Sequence, residues 1–213
     1  MRLETLVVGA FQVNCYFYWD ETSGQGVIID PGDEETRIFG AVRSAGFTPK
    51  AILLTHGHVD HIAAVAPVKE EYDIPLFVGK GEESLLANPS ENVSELIGHP
   101  ITAPKPDHLL ADEEIVAVGP VSFKVLATPG HSPGGVCYLD ERDGVLFCGD
   151  TLFWGSVGRT DFPGCSHEQL IASIHRKILP LPDEVACYPG HGPATTVGGE
   201  RANNPFLSGG DFA

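Results

Sequence analysis

Residues 51–61 read AILLTHGHVDH, so an apolar strand is predicted to lead directly into four candidate metal ligands. A divalent metal ion needs imidazole nitrogens or carboxylate oxygens that converge at about 2 Å. In an extended turn, His56 and His58 point to the same side of the chain. Asp60 and His61 begin the next predicted helix, so they can face a second point nearby. Four ligand types at this density, at the end of a buried strand, predict a metal site.

Three further candidate ligands share one local pattern, in which an apolar strand ends in a glycine turn. His131 follows ATPG, Asp150 follows LFCG, and His191 follows YPG. A lone histidine or aspartate after a turn is usually a solvated loop residue. Because the same pattern recurs at three strand ends and joins the 56–61 cluster, the sequence predicts a single shared site.

The rest of the sequence predicts short strands and helices in both halves of the chain. Predicted strands cover residues 3–8, 13–19, 26–30, 51–55, 75–78, 114–118, 121–127, 135–139, 145–148 and 184–188. Predicted helices cover residues 34–45, 62–72, 166–179 and 197–203; Pro67 kinks or divides the second, and Ser166 caps the third. Residues 88–108, rich in proline and polar groups, are predicted to form a surface excursion. Strands mixed with helices in both halves predict two sheets covered by helices.

Composition and charge restrict the class of protein and its partners. The 213 residues are 42% hydrophobic and 20% charged, which is typical of a globular protein, and no linker divides them. We therefore expect a single domain over residues 1–213. Twenty-nine acidic and 13 basic residues give a net charge of −16. Because such a surface repels phosphate backbones and anionic lipids, neither nucleic acid nor a membrane is an expected partner.

Targeting signals and cysteine usage indicate the cellular compartment. No apolar run approaches the roughly 18 residues of a membrane helix, and the N-terminus lacks the pattern of a secretory signal. The five cysteines are odd in number and form no C-x-x-C pair. This usage predicts reduced thiols rather than a disulfide framework. Together these features predict a cytoplasmic protein, and they specify no oligomeric state.

The order of the candidate ligands resembles that of the metallo-β-lactamase superfamily. His-x-His-x-Asp-His at 56–61 is followed by a single His, a single Asp and a last His, and the DPG at 30–32 is similar to the family's early aspartate–glycine turn. The resemblance implies an α/β fold, the αββα sandwich of two mixed sheets flanked by helices, with the site at one edge. It also implies two metal ions: one held by His56, His58 and His131, the other by Asp60, His61 and His191, with Asp150 bridging both.

Within the superfamily the chain is most similar to the short type II glyoxalases, or hydroxyacylglutathione hydrolase-like proteins. The similar segments are GDTLF at 149–153, GRTDFPG at 158–164 and PGHGPATT at 189–196. This implies hydrolysis of small thioesters such as S-lactoylglutathione by a hydroxide that bridges two divalent ions, with Asp60 and Asp150 in catalytic positions. Zinc is the expected metal, and iron or manganese also suit mixed His/Asp ligands. Since the sequence ends 22 residues after His191, we expect no C-terminal glutathione-binding helical domain.

The principal alternative is an oxygenase of the same fold. His56, His131 and Asp150 alone would form a two-histidine, one-carboxylate face for a single Fe(II), and the GRTDF run is also similar to persulfide dioxygenases. A third class, a non-catalytic metal-binding scaffold, predicts that ligands have been lost, whereas all seven are present. Arg159 is a candidate contact for a substrate carboxylate or, alternatively, part of an intramolecular salt bridge.

Overall fold

Two β-sheets lie face to face between helices in residues 1–207, the part of the chain that this computed structural model describes. The first sheet has the order β1 (Arg2–Val8), β2 (Val13–Trp19), β3 (Gln25–Ile29), β4 (Thr48–Leu53), β5 (Leu76–Gly79) and β6 (His108–Leu110). Its first three strands pair antiparallel and its last four pair parallel. The sheet is therefore mixed.

The second sheet is built from the later part of the chain. In chain order its strands are β7 (Ile115–Val118), β8 (Val121–Ala127), β9 (Val136–Asp140), β10 (Val145–Gly149), β13 (Ala186–Pro189) and β14 (Thr195–Thr196). All neighbours are antiparallel except β10 and β13, which run parallel. Between these two strands the chain forms a small hairpin of β11 (Leu152–Phe153) and β12 (Ser156–Val157).

Six α-helices in the described chain cover or connect the sheets. They are α1 (Glu35–Ala45), α2 (Val59–Ile62), α3 (Val65–Tyr72), α4 (Glu83–Ala87), α5 (His167–Ser173) and α6 (Val197–Asn203). A 3₁₀ turn occupies Ser94–Ile97, and α5 continues into a π-helical turn at Ile174–Ile178. None of the helices in residues 1–207 combines the length and apolar composition that crossing a membrane requires.

Strand β2 shows why the sheets and helices stack in layers. All seven of its residues are buried. Cys15 and Phe17 belong to the apolar cluster beneath α1 and α3, whereas Tyr16 and Tyr18 belong to the cluster between the two sheets. This alternation follows from the two-residue period of a strand. The aromatic residues of this segment thus serve packing.

A third apolar cluster completes the layers on the outer face of the second sheet. There Leu139 and Leu146 pack with Leu170 of α5 and Val197 of α6. The resulting order is helix, sheet, sheet, helix. The αββα fold expected from the sequence is confirmed.

The predicted elements agree with the structure except in the connections. The predicted helix over 62–72 is divided, because α2 ends at Ile62 and α3 starts at Val65, so that Pro67 lies in a first turn, where proline is tolerated. Ser166 caps α5, its hydroxyl accepting a hydrogen bond from the Gln169 amide. The sequence did not predict α4, β6, β14 or the β11–β12 hairpin. These elements have two to five residues, too few for a hydrophobic period to be recognised.

Candidate metal centre

The seven candidate ligands lie at one edge of the sandwich because their strands end there. Strand β4 leads through Leu54 and Thr55 to His56, and α2 then carries Asp60 and His61. Strands β8, β10 and β13 end at Ala127, Gly149 and Pro189, shortly before the other ligands in sequence. Four histidines are buried, with relative exposures of 5% or less: His56, His58, His61 and His131.

Three imidazoles converge in the first group of ligands. Nε2 of His131 lies 2.9 Å from Nδ1 of His58 and 3.2 Å from Nε2 of His56. Tetrahedral zinc with Zn–N bonds of 2.0–2.1 Å separates its ligand nitrogens by about 3.3 Å. The three nitrogens therefore have the spacing of one metal ion's ligands.

The second group contains Asp60, His61 and His191, whose ligand atoms also lie within 4.8 Å of one another. Nε2 of His191 is 3.2 Å from Oδ2 of Asp60. The Asp150 carboxylate lies between the two groups, since its Oδ2 is 3.6 Å from Nε2 of His131 and 3.5 Å from Nε2 of His191. Its Oδ1 is 3.4 Å from Nε2 of His61. The Asp150 carboxylate thus faces histidines of both groups.

Hydrogen bonds to the far nitrogen of three rings fix which nitrogen faces the site. Nδ1 of His131 donates to the Arg159 carbonyl at 2.7 Å, and Nδ1 of His191 donates to the Phe11 carbonyl at 3.0 Å. Nδ1 of His61 donates to a carboxylate oxygen of Asp30 at 3.0 Å. Because these Nδ1 atoms carry the proton, the Nε2 lone pairs point into the site, as metal binding requires.

Thr55 and Asp30 orient His56 in the same way. The Thr55 hydroxyl donates to Oδ2 of Asp30 at 2.6 Å, so its oxygen accepts from Nδ1 of His56 at 3.1 Å. The Thr55 amide donates to Oδ1 of Asp30 at 2.8 Å. One buried carboxylate therefore supports His56 through Thr55 and His61 directly.

Two histidines of the first group, His56 and His58, are poised as neutral ligands. Burial and the neighbouring rings lower the pKa of His56 well below its ordinary value. Burial and the adjacent His131 lower the pKa of His58 to about 3. At neutral pH both rings are uncharged, so their lone pairs are free to bind a metal.

The carboxylates in and beside the second group of ligands attract positive charge to this part of the site. Burial opposes a charge on His61, but the carboxylates of Asp30, Asp150 and Asp60 outweigh burial and raise its pKa well above the ordinary value. Burial likewise opposes ionisation of Asp150, yet the nearby histidines, led by His61, lower the pKa of this carboxyl. A divalent cation supplies the charge that these carboxylates attract.

Two orphaned atoms indicate the same ligand chemistry. Nε2 of His61 and Oδ1 of Asp150 are buried side-chain atoms with no hydrogen-bond partner. Burying polar atoms without partners costs free energy, so such atoms need an explanation. Both belong to the proposed ligand set and both face the site. The residues present therefore fit divalent metal ions.

Two buried carboxylates outside the predicted ligand set support the centre. Asp30, at the end of β3, appeared in the sequence only as part of a family-like turn. Glu82 was not singled out: its two oxygens each accept a backbone N–H at 2.6 Å, one from Gly57 between the first two ligands and one from Gly134 after His131. Glu82 thus ties together two loops that carry ligands. A lone glutamate in a polar segment gives no sequence signal of such a role.

Arg159 makes the intramolecular salt bridge that the sequence left as one of two possibilities. Its Nε and Nη2 donate to the two carboxylate oxygens of Asp161 at 2.7 and 2.8 Å. The guanidinium carbon also lies 4.0 Å from the centre of the Phe162 ring. The side chain still borders the cavity described next, although its charge is already paired.

A cavity of about 580 Å³ opens over the ligands. His58, Asp60, His131, Asp150 and His191 form its floor. This volume is within the range of small-molecule sites. The ligand cluster therefore faces a space that a substrate can enter.

Comparison with known proteins assigns the sequence to a family. Residues 8–191 match the sequence profile of the metallo-beta-lactamase superfamily, a span that includes every candidate ligand. The chain belongs to this superfamily. The family expected from the histidine pattern is confirmed, and the protein is one of the metallohydrolase-type members with an intact His/Asp cluster.

Two curated superfamily relatives are similar over almost their whole length. A probable metallo-hydrolase of Bacillus subtilis, YqgX, is 42% identical over 98% of this chain and 99% of the relative. The hydroxyacylglutathione hydrolase GloC of Haemophilus influenzae is 38% identical over 98% of this chain and 99% of the relative. This agrees with the resemblance to hydroxyacylglutathione hydrolase-like proteins.

Two solved structures have closely similar folds. The B3 metallo-beta-lactamase BLEG-1 aligns with a TM-score of 0.94 and 44% identity, covering 98% of this chain and all of that one. TTHA1623 in a di-iron-bound form aligns with a TM-score of 0.87 and 40% identity, covering 96% of this chain and all of that one. The second structure shows that a protein of this similarity holds two metal ions.

Proposed function

We propose that the chain is a metal-dependent hydrolase that cleaves thioesters, with S-lactoylglutathione as the reference substrate of type II glyoxalase activity. The seven side chains hold two divalent ions, with zinc as the proposed metal. The likeness to GloC supports the choice of thioesters, and the likeness to a di-iron protein supports a pair of ions. The partner is a small molecule, and the proposal includes neither nucleic acid nor a membrane.

The observation that carries the proposal is the shared position of Asp150. Its Oδ2 lies at nearly equal distances, 3.6 and 3.5 Å, from a histidine of each group. A site for one ion needs only one of the two groups, so a carboxylate between both supports a dinuclear centre. In dinuclear hydrolases, the two ions together activate a water molecule and polarise the bond that is cleaved.

Two divalent ions in this site would lower the pKa of a bound water towards neutrality and polarise a carbonyl oxygen. Hydrolysis adds water across the C–S bond and yields a carboxylic acid and a thiol. A thiolate is a good leaving group because thiols have pKa values near 8.5. A thioester therefore suits a site that offers ligands rather than a strong general acid.

The protein's own groups orient and protect the reacting atoms. Backbone carbonyls and the Asp30 carboxylate hold the imidazoles in fixed tautomers, which keeps the ligand atoms in place when substrate enters. The Asp60 side chain is 18% exposed and lies at the cavity floor. Its first role is as a ligand, and its position also allows it to accept a proton from reacting water.

An anaerobic thioesterase assay tests the proposal. Metal-loaded protein should hydrolyse S-lactoylglutathione without oxygen, and chelator-treated protein should lose this activity and regain it with zinc. His191→Ala should lower turnover at limiting metal by roughly 100-fold or more, since removing even a supporting group costs 10–100-fold. His167→Ala, at the exposed start of α5, is the matched control and should leave turnover unchanged.

The same assay distinguishes the competing activities. Oxygen-dependent consumption of a persulfide without thioester cleavage would replace the proposal with the dioxygenase alternative. Cleavage of a chromogenic β-lactam at rates above those on thioesters would replace it with lactamase activity, the activity for which the B3 metallo-beta-lactamase BLEG-1 is named. Thioester hydrolysis alone supports the proposal.

A further inference from the structure

The wall of the cavity above the candidate ligands is mostly apolar. Away from the floor, eight of the ten lining residues are apolar, among them Phe11, Leu96 and Ile97, and the other two are Ser156 and Arg159. Because the ligands occupy the floor, the acyl chain of a thioester whose carbonyl faces them can lie along this wall. The wall therefore determines which substrates fit, beyond the chemistry that the floor provides.

Three of these apolar side chains are unusually exposed. Leu96 is 75% exposed, Phe11 52% and Ile97 42%. A cluster of exposed apolar groups around a cavity is typical of a surface that an apolar ligand covers. The position of these residues beside the candidate metal ligands indicates that the ligand is part of the substrate.

The wall offers no free positive charge. Among the residues that line the cavity in the described chain, Arg159 is the single lysine or arginine. Both carboxylate oxygens of Asp161 already accept hydrogen bonds from it. A substrate carboxylate would have to compete with this bidentate pair. This side of the cavity therefore disfavours an anionic acyl group.

The apolar wall is held in place before any ligand arrives. The buried Asn92 side chain donates to the carbonyls of Leu85 and Ile101 at 2.9 Å each and accepts from the Ser94 amide at 3.0 Å. Its own carbonyl accepts from the amide of Val59, the first residue of α2, at 3.0 Å. Since α2 carries candidate ligands, Asn92 fixes the wall relative to the floor.

The backbone at Val93, next to Asn92, is held in an unfavourable conformation by the surrounding structure. Val93 has φ of 63°, a left-handed conformation that is unfavourable for a β-branched residue. Such strain persists only where the surroundings determine it, and it concentrates at binding sites. The 3₁₀ turn Ser94–Ile97 that follows presents Leu96 and Ile97 to the cavity.

From these observations we propose that the site selects thioesters with apolar, uncharged acyl groups longer than acetyl. The acyl chain lies against Leu96, Ile97 and Phe11 while its carbonyl faces the ligands. Acyl groups with a free carboxylate are selected against. This inference rests on the proposed thioesterase function and adds the substrate class.

A series of thioesters of one neutral thiol, N-acetylcysteamine, tests the proposal without changing the leaving group. For metal-loaded protein, kcat/KM should rise about tenfold from the acetyl to the hexanoyl thioester, which corresponds to partial burial of each added CH₂. The succinyl thioester should be cleaved at least about tenfold less efficiently than the butyryl thioester, which has the same number of acyl carbons.

Two pairs of variants locate the effect. Leu96→Ser should remove most of the dependence on chain length, whereas Ile115→Ser, at a residue that is 59% exposed and outside this cavity, should preserve it. Asp161→Asn leaves the Arg159 charge uncompensated and should raise succinyl over butyryl cleavage about two- to fivefold. Asp183→Asn, in the exposed pair with Arg201, should leave that ratio unchanged.

The outcomes separate this inference from the function on which it rests. Thioester hydrolysis with no rise along the acyl series, or with Leu96→Ser behaving like Ile115→Ser, would overturn the substrate class and leave the thioesterase function standing. A preference for the succinyl thioester would do the same. If metal-loaded protein cleaves none of the thioesters, the function itself is wrong and the inference falls with it.

Discussion

Gly190 approaches two candidate ligands so closely that adding one methyl group would disturb the centre. A Cβ at this position would lie 2.2 Å from Oδ1 of Asp150 and 2.6 Å from Cε1 of His61, although Cβ atoms essentially never come within 3.0 Å of other heavy atoms. The Gly190 backbone is not in the left-handed region, so alanine is allowed there by conformation. The effect of Gly190→Ala therefore comes from contact alone.

The contact distances give the size of the effect. Relieving the shorter contact requires a shift of about 0.8 Å, whereas metal–ligand distances tolerate only about 0.2 Å. A misplacement of about 1 Å costs roughly 100-fold in a catalytic site. We expect Gly190→Ala to weaken the binding of at least one ion by about 100-fold and to lower turnover at limiting metal by a similar factor. Overpacking should also reduce the free energy of unfolding by about 1–3 kcal/mol.

Competition with a chromogenic chelator measures metal affinity, and thermal unfolding measures stability. Gly40→Ala is the control, because a Cβ there has nothing within 4 Å and the residue lies within α1. It should leave metal affinity unchanged and stabilise the protein by about 0.5–1 kcal/mol. Wild-type affinity for both ions in Gly190→Ala would refute the placement of Asp150 and His61 as ligands.

Four substitutions test separate parts of the centre. Asp150→Ala should lower the affinity for both ions and His191→Ala mainly for one, which elemental analysis after dialysis against a weak chelator will measure; two tightly held ions in Asp150→Ala would exclude the bridging role. Asp30→Asn should weaken metal binding about 10–100-fold because it supports two ligand histidines; unchanged competition titrations would count against this. Glu82→Gln leaves one buried backbone N–H without an acceptor and should cost about 1.5–3 kcal/mol in chemical denaturation, and an unchanged midpoint would contradict its role as a link.

The sequence predicted what local patterns encode. The buried strands were recognisable because they contain continuous apolar runs, such as residues 15–19 and 51–54, and the ligands were recognisable because each follows such a run. Asp30 and Glu82 were harder, since each lies 25 residues from the segment that it supports. Their roles depend on strand pairing and loop packing, which a single sequence does not specify.

The partner of Arg159 and the burial of Asn92 could not be predicted, because each depends on which of several possible interactions forms in the folded chain. From the sequence, Arg159 could contact either a substrate carboxylate or an acidic residue of the chain. The structure pairs it with Asp161, which is only two residues away. The excursion over 88–108 was predicted as surface, yet its Asn92 is fully buried. An asparagine in a polar segment gives no warning of such burial, because its three hydrogen bonds form only once the loop is folded.

The most direct test of the dinuclear hydrolytic centre is a titration of thioester hydrolysis with metal. Metal-free protein receives increasing equivalents of zinc under anaerobic conditions, and the initial rate on a neutral acyl thioester is recorded after each addition. If the two ligand groups and Asp150 hold such a centre, the rate should rise until about two equivalents per chain and then stay constant. A plateau at one equivalent, or a rate that appears only when oxygen is admitted, would contradict it.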